Sequence, residues 1–156
     1  MCVRLMQAQS DLSRKSARLM DIVNLLGRYF QIRDDYQNLI SAEYSREKGF
    51  CKDLDEGKVS LPLIYYMRCP ESMSAEVKSL LFHRPPWEEL PVEMKGFIIA
   101  EMEAHGALDK TYTLIREVKK ELLDKLRELE EDFEVESPVL HLILQKLRLD
   151  NNENFT

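Results

Sequence analysis

Apolar and polar positions repeat with helical spacing along most of this chain. Between residues 16 and 41 apolar residues recur every three or four positions, as on one buried side of a helix. That side comprises Ile22, Leu25, Tyr29, Ile32, Tyr36 and Leu39. Further helical windows follow at about 61–68, 74–82, 92–104, 108–133 and 138–149. We find no convincing strand and no internal repeat, so the pattern predicts an all-α fold.

Turn and capping signals separate the predicted helices. Ser60 and Ser137 each precede a proline-containing first turn, where serine can cap the helix and proline is tolerated. Residues 42–57 are polar and contain two glycines, so they predict a connection without regular structure. Residues 83–91 carry paired prolines and predict a loop. A break at Gly106 should divide the two helices that follow this loop.

The first long helix also carries a polar side with the residue types of a cation site. Two adjacent carboxylates repel one another unless a cation lies nearby, and Mg²⁺ binds through one or two carboxylates plus phosphate oxygens. Two lysines, each beside a glycine, follow this helix and suit a polyphosphate. A solvated helix face is the ordinary alternative. The residues concerned are Gln31, Asp34, Asp35 and Asn38, at positions i, i+3, i+4 and i+7, followed by Lys48 and Lys58.

Composition narrows the possible classes of protein. The 156 residues suffice for one domain or for a piece of a larger one, and the net charge of −6 argues against general binding of nucleic acid. No apolar run approaches the roughly 20 residues of a membrane span. Three cysteines without metal-binding spacing predict reduced thiols in the cytoplasm. An EF-hand starting at Asp53 fails, because Ile64 stands where a bidentate acid is required.

Several segments together resemble a known family. FQIRDDYQN (30–38), KGFCKDLDEGK (48–58) and SLPLI (60–64) are similar to the second aspartate-rich region of trans-isoprenyl diphosphate synthases. They look most like the fungal geranylgeranyl diphosphate synthase branch, in which the motif reads DDYxN. The same kind of domain forms the C-terminal part of fungal bifunctional terpene synthases. VRLMQA (3–8) and MEAHGALDKTYTLIREV (102–118) also resemble that branch.

The resemblance implies a fold and a reaction. Residues 1–149 would form the C-terminal portion of an isoprenoid-synthase-type helical bundle, and residues 150–156 a disordered tail. The implied enzyme is a cytoplasmic, Mg²⁺-dependent prenyltransferase that is a homo-oligomer when intact. It condenses isopentenyl diphosphate with an allylic diphosphate (dimethylallyl, geranyl or farnesyl) to give geranylgeranyl diphosphate.

The resemblance also assigns roles to individual residues. Asp34 would ligate Mg²⁺, and Asp35 would support the same cluster directly or through water. Gln31, Asn38, Lys48 and Lys58 would contact the allylic diphosphate. The catalytic set is then Asp34, Asp35, Lys48 and Lys58, which stabilise the departing diphosphate.

The chain also departs from the family pattern. It lacks the first aspartate-rich motif, since its only Asp-Asp pair is Asp34–Asp35, and its one Lys-Thr pair, Lys110–Thr111, follows the matched region rather than preceding it. We therefore expect a partial catalytic cavity and a chain that is inactive alone. The alternative is a non-catalytic helical partner subunit of a full-length synthase. A generic acidic helical bundle would leave the ordered motifs to chance.

Overall fold

The computed structural model describes residues 16–41, 49–83, 85, 88–147 and 149. Within these residues every regular element is a helix, which confirms the all-α prediction. None of these helices is long and apolar enough to cross a membrane. Lys48, residues 84, 86 and 87 of the predicted loop and the predicted 150–156 tail lie outside the described residues. The helices are α1 (Ser16–Ile40), α2 (Lys52–Asp55), α3 (Leu61–Met67), α4 (Ser74–Phe82), α5 (Val92–Ala104), α6 (Ala107–Phe133) and α7 (Pro138–Lys146).

The chain divides into two compact units. The terminal unit comprises residues 1–30 and 117–156, and the central unit comprises residues 31–116. The predicted site residues that the structure describes fall in the central unit.

The terminal unit has an apolar core with helical spacing. Its buried side chains are Ile22, Leu25, Tyr29, Val118, Leu122, Leu126, Leu129 and Leu144. The hydroxyl of Tyr29 donates to the carbonyl of Leu147 at 2.7 Å and so fastens the end of α7. Thus the apolar stripes predicted on α1 and α6 both supply core residues here.

The start of α7 is stabilised differently from the prediction. The Ser137 side chain makes no capping hydrogen bond with the described residues. Instead, a carboxylate oxygen of Glu130 accepts the Ser137 N–H at 2.7 Å and lies 3.0 Å from Nε2 of His141. These contacts lower the pKa of Glu130, the backbone N–H having the larger effect. A side chain of the preceding helix, seven residues earlier, therefore accepts a backbone N–H at the helix start.

The central unit is organised around buried residues of several helices. Its buried apolar side chains are Tyr36, Leu39, Cys51, Leu54, Leu63, Tyr66, Val77, Leu81, Leu90, Ile98, Met102, Ala107, Leu108 and Ile115. Helix α3 packs against α5, where the Tyr66 hydroxyl donates to a carboxylate oxygen of Glu101 at 3.0 Å. Burial and this hydrogen bond raise the pKa of Tyr66 to about 12. Gly106, at φ +67°, makes the predicted break between α5 and α6.

Helix α2 lies within the segment that was predicted to be an irregular polar connection. It has only four residues, too few for a helical period to be visible in sequence. Leu54 is buried in the core, and Asp55 is also buried. Cys51, immediately before α2, has a left-handed φ of 50° that an L-residue adopts only when its surroundings impose it. Tertiary contacts therefore determine this segment.

We expect Leu122→Ala to lower the free energy of unfolding by about 2–5 kcal/mol, because it removes a fully buried side chain and leaves a cavity. Leu142→Ala is the matched control, since Leu142 is 54% exposed on α7. Urea denaturation followed by circular dichroism measures both values. An equal decrease in the free energy of unfolding for the two variants would contradict the assignment of Leu122 to the core.

Candidate active site

Asp35 is at the centre of the candidate site. It is 6% exposed, and both of its carboxylate oxygens are engaged by donors of the protein. Oδ1 accepts from the side-chain amide of Gln31 at 2.7 Å and lies 3.0 Å from Nζ of Lys58. Oδ2 accepts the backbone N–H of Leu61 at 3.0 Å. Asp35 therefore connects α1 to Lys58 and to the first residue of α3.

The same contact accounts for the start of α3. Ser60, the predicted cap, makes no side-chain capping bond with the described residues, and its buried hydroxyl has no hydrogen-bond partner among them. Instead, the carboxylate of Asp35 accepts the Leu61 N–H, although Asp35 lies 26 residues before Leu61 in the sequence. An anionic acceptor at a helix start also interacts favourably with the helix dipole.

Lys58 lies between two carboxylates. Its Nζ is 3.0 Å from Asp35 and donates to Asp53 at 2.8 Å, while 34% of its side chain remains exposed. Partial burial alone lowers the pKa of Lys58, but the hydrogen bonds with Asp53 and Asp35 outweigh that effect and raise it. The ammonium therefore stays charged at neutral pH and reaches the surface, where it can contact an anion.

The remaining predicted residues differ in their accessibility. Gln31 is exposed and Asp34, which has polar interactions of its own, is half-buried. Asn38 is 1% exposed, and its side-chain oxygen accepts the backbone N–H of Asp53 at 3.3 Å, so it holds α2. In the structure Gln31 and Lys58 both contact Asp35. Asn38 is connected to this group through Asp53, which bonds to both Asn38 and Lys58.

The carboxylates of the candidate site bear on the predicted Mg²⁺ ion. Among the described residues no group of three or more His, Cys, Asp or Glu side chains could hold one. Asp35 already has protein donors on both oxygens, and Asp34 is half-buried with polar interactions of its own. Mg²⁺ takes one or two carboxylates and completes its shell with water and phosphate oxygens. The carboxylates of Asp34 and Asp35 are the donor type that such a site uses, and their role as Mg²⁺ ligands stays a prediction.

Sequence reasoning missed two features of this site. Asp53, five residues before Lys58, was considered only as the start of an EF-hand, although the run KDLDEGK places acids close to that lysine. The second feature is the buried ion pair of Asp55 and Lys95, at 2.7 Å. These residues are 40 positions apart, and no local pattern connects them.

Cys51 is not an activated nucleophile in this structure. It is fully buried, and its thiol lies 3.7 Å from the carbonyl of Leu39. Burial raises its pKa to about 11 and outweighs the opposing effect of Lys95. A thiol needs a lowered pKa and access to react, so Cys51 serves packing.

Comparison with known proteins identifies the family. The family model described as Polyprenyl synthetase matches residues 1–90. This chain belongs to the polyprenyl synthetase family. The resemblance found in the sequence is thereby confirmed, and the helical structure agrees with it.

Relatives of this polyprenyl synthetase chain match nearly all of it. Geranylgeranyl pyrophosphate synthase 3 of Zymoseptoria tritici is 45% identical over 147 residues, which are 94% of this chain and 40% of the relative. Quiannulatene synthase of Emericella variicolor is also 45% identical over 147 residues, covering 94% and 20%. Colleterpenol synthase of Colletotrichum gloeosporioides is 42% identical over 150 residues, covering 94% and 19%. The chain thus spans between about a fifth and two fifths of these relatives.

We expect Asp35→Asn to lower the free energy of unfolding by about 1–3 kcal/mol, because it withdraws a buried charge from Lys58 and weakens the start of α3. Glu56→Gln is the control, since Glu56 is exposed in the same segment and should change stability by less than about 0.5 kcal/mol. Urea titration at pH 7 measures both. An Asp35→Asn variant with an unchanged free energy of unfolding would show that this carboxylate does not stabilise the start of α3.

Proposed function

We propose that this chain provides the diphosphate-binding wall of a Mg²⁺-dependent prenyltransferase. The reaction condenses isopentenyl diphosphate with an allylic diphosphate and yields geranylgeranyl diphosphate. One observation carries the proposal: the charged, partly exposed ammonium of Lys58 is held beside Asp35. Asp35 directly follows the half-buried Asp34 on the same helix. An ammonium together with carboxylates that could hold a metal suits a metal-bound diphosphate.

Each residue has a distinct task in this proposal. Asp34 would hold Mg²⁺, and Asp35 orients Lys58 while remaining bonded to Gln31 and Leu61. When bound, Mg²⁺ supplies positive charge to the diphosphate oxygens as the bond to the allylic carbon breaks. Lys58 adds a fixed positive charge where negative charge develops on the leaving group. The allylic carbon then accepts electrons from the double bond of isopentenyl diphosphate, and a proton is lost.

The other residues predicted to contact the diphosphate differ in whether they are exposed enough to do so. Gln31 is exposed, so its amide can contact a diphosphate while remaining close to Asp35. Asn38 is buried against α2, and in this proposal it supports the site by holding Asp53. Lys48 lies outside the described residues and stays a predicted contact. The isopentenyl and allylic specificity, the homo-oligomeric state and the cytoplasmic location also stay predictions.

The product assignment and domain assignment rest on similarity. One relative that is 45% identical over 147 residues is named Geranylgeranyl pyrophosphate synthase 3. For this reason we propose geranylgeranyl diphosphate as the product. We also propose that residues 1–149 are the C-terminal part of the prenyltransferase domain, with 150–156 as a tail.

The first test measures inorganic pyrophosphate binding by calorimetry, with and without Mg²⁺. Lys58→Met should weaken binding about tenfold, or about 1.4 kcal/mol, because the diphosphate loses one ammonium contact. Lys52→Met is the control, since the Lys52 ammonium pairs with Glu89 at the surface. Asp34→Ala should remove the gain in affinity that Mg²⁺ provides. Equal affinities for wild type, Lys58→Met and Asp34→Ala would refute the proposed site.

The second test measures turnover. With Mg²⁺, isopentenyl diphosphate and farnesyl diphosphate, we expect the isolated chain to form no geranylgeranyl diphosphate. One cation-binding wall leaves the charge of two diphosphates only partly neutralised. Product analysis by mass spectrometry decides the matter, and robust turnover would contradict the expectation. A chain that binds no pyrophosphate but co-purifies with a full-length synthase would instead support the partner-subunit alternative.

A further inference from the structure

We propose that the buried ion pair of Asp55 and Lys95 is a positioning device that sets the location of Lys58. The pair lies outside the residues that would contact the diphosphate. It acts through α2 and Asp53, and its relevance to substrate rests on the function proposed above. Asp55 and Lys95 are thus positioning residues rather than catalytic ones.

The pair joins three separate parts of the central unit. Lys95, on α5, is 5% exposed, and its Nζ donates to Asp55 at 2.7 Å and to the carbonyl of Phe50 at 2.8 Å. The second oxygen of Asp55 accepts the backbone N–H of Leu90 at 2.9 Å. The ammonium and the carboxylate are therefore each held by more than one partner, in fixed directions. The segment carrying α2 is fastened both before and within the helix.

Stability alone is a weak explanation for such a pair. Removing two charges from water costs solvation free energy, and buried ion pairs are often no more stabilising than apolar residues of similar size. Directional hydrogen bonds, in contrast, fix position in a way that apolar contacts do not. The two charges here hold a short helix that has no intrinsic stability of its own.

The contacts of α2 lead directly to Lys58. Residues 53 and 55 are separated by about 200° around a helix, so their side chains leave α2 on opposite sides. Asp55 faces Lys95, whereas Asp53 binds Lys58 at 2.8 Å. The backbone also connects them, because the Lys58 N–H donates to the Asp53 carbonyl at 2.9 Å. A shift of α2 therefore moves both Asp53 and the ammonium that it holds.

The test uses the full 156-residue chain and three variants: Asp55→Asn, Lys95→Met and the double variant. Each single change leaves one buried charge without its partner and should destabilise the protein, whereas the double variant removes both charges and should recover much of that loss. Pyrophosphate affinity in Mg²⁺ should remain weaker in the double variant than in wild type, by up to the about tenfold loss expected for Lys58→Met, because the pair acts through that ammonium. The Asp53 amide signal in NMR without ligand should also shift.

Leu122→Ala is the matched control. Leu122 belongs to the terminal unit and α2 to the central unit, so this variant should be less stable but bind pyrophosphate with the affinity of wild type. A double variant that is stable and binds pyrophosphate as tightly as wild type, with an unshifted Asp53 amide, would overturn the inference. If the double variant does not fold, Asp55→Asn under the same two measurements replaces it, because asparagine keeps an acceptor for Leu90.

The two proposals can fail separately. If wild type and Lys58→Met bind pyrophosphate equally, the proposed function fails, and the Asp53 amide shift alone decides whether the pair positions α2. If Lys58→Met weakens binding and the double variant does not, the function stands and the positioning role is overturned.

Discussion

The carboxylate of Asp35 is the contact on which the central unit depends. It is buried on α1, yet it binds an ammonium from the segment after α2 and the first backbone N–H of α3. A buried carboxylate needs such donors, because an unpaired charge in a low-dielectric interior is expensive. One anion thus holds the segment from Lys58 to Leu61 against α1, although Asp35 and Leu61 are 26 residues apart in sequence.

The residues of the candidate site therefore also belong to the polar interior of the central unit. Lys58 is shared by Asp35 and Asp53, and Asp53 is held in turn by Asn38. Fixed partners reduce the rearrangement needed when charge develops on a bound group, which is the physical basis of electrostatic preorganisation. On this view the residues that position Lys58 matter as much as those that contact a diphosphate.

The family assignment and the geometry contribute different information. The matching family model and the relatives establish what kind of protein this is. The structure shows how its charges are arranged, including the buried pair of Asp55 and Lys95. The chain spans only part of the length of these relatives.

Sequence alone determined the elements that have a long apolar period. The stripe on α1 and the break at Gly106 were visible because helical spacing and a left-handed glycine are local properties. The order of Asp34, Asp35 and Lys58 also indicated phosphate chemistry.

Tertiary structure decided how the helix starts are stabilised. Ser60 and Ser137 were predicted as caps, but Asp35 and Glu130 accept the N–H groups at those helix starts. Both acceptors belong to a different helix from the one whose start they stabilise. Local sequence does not show such pairs, because only folding brings the acceptor within hydrogen-bond distance of the donor.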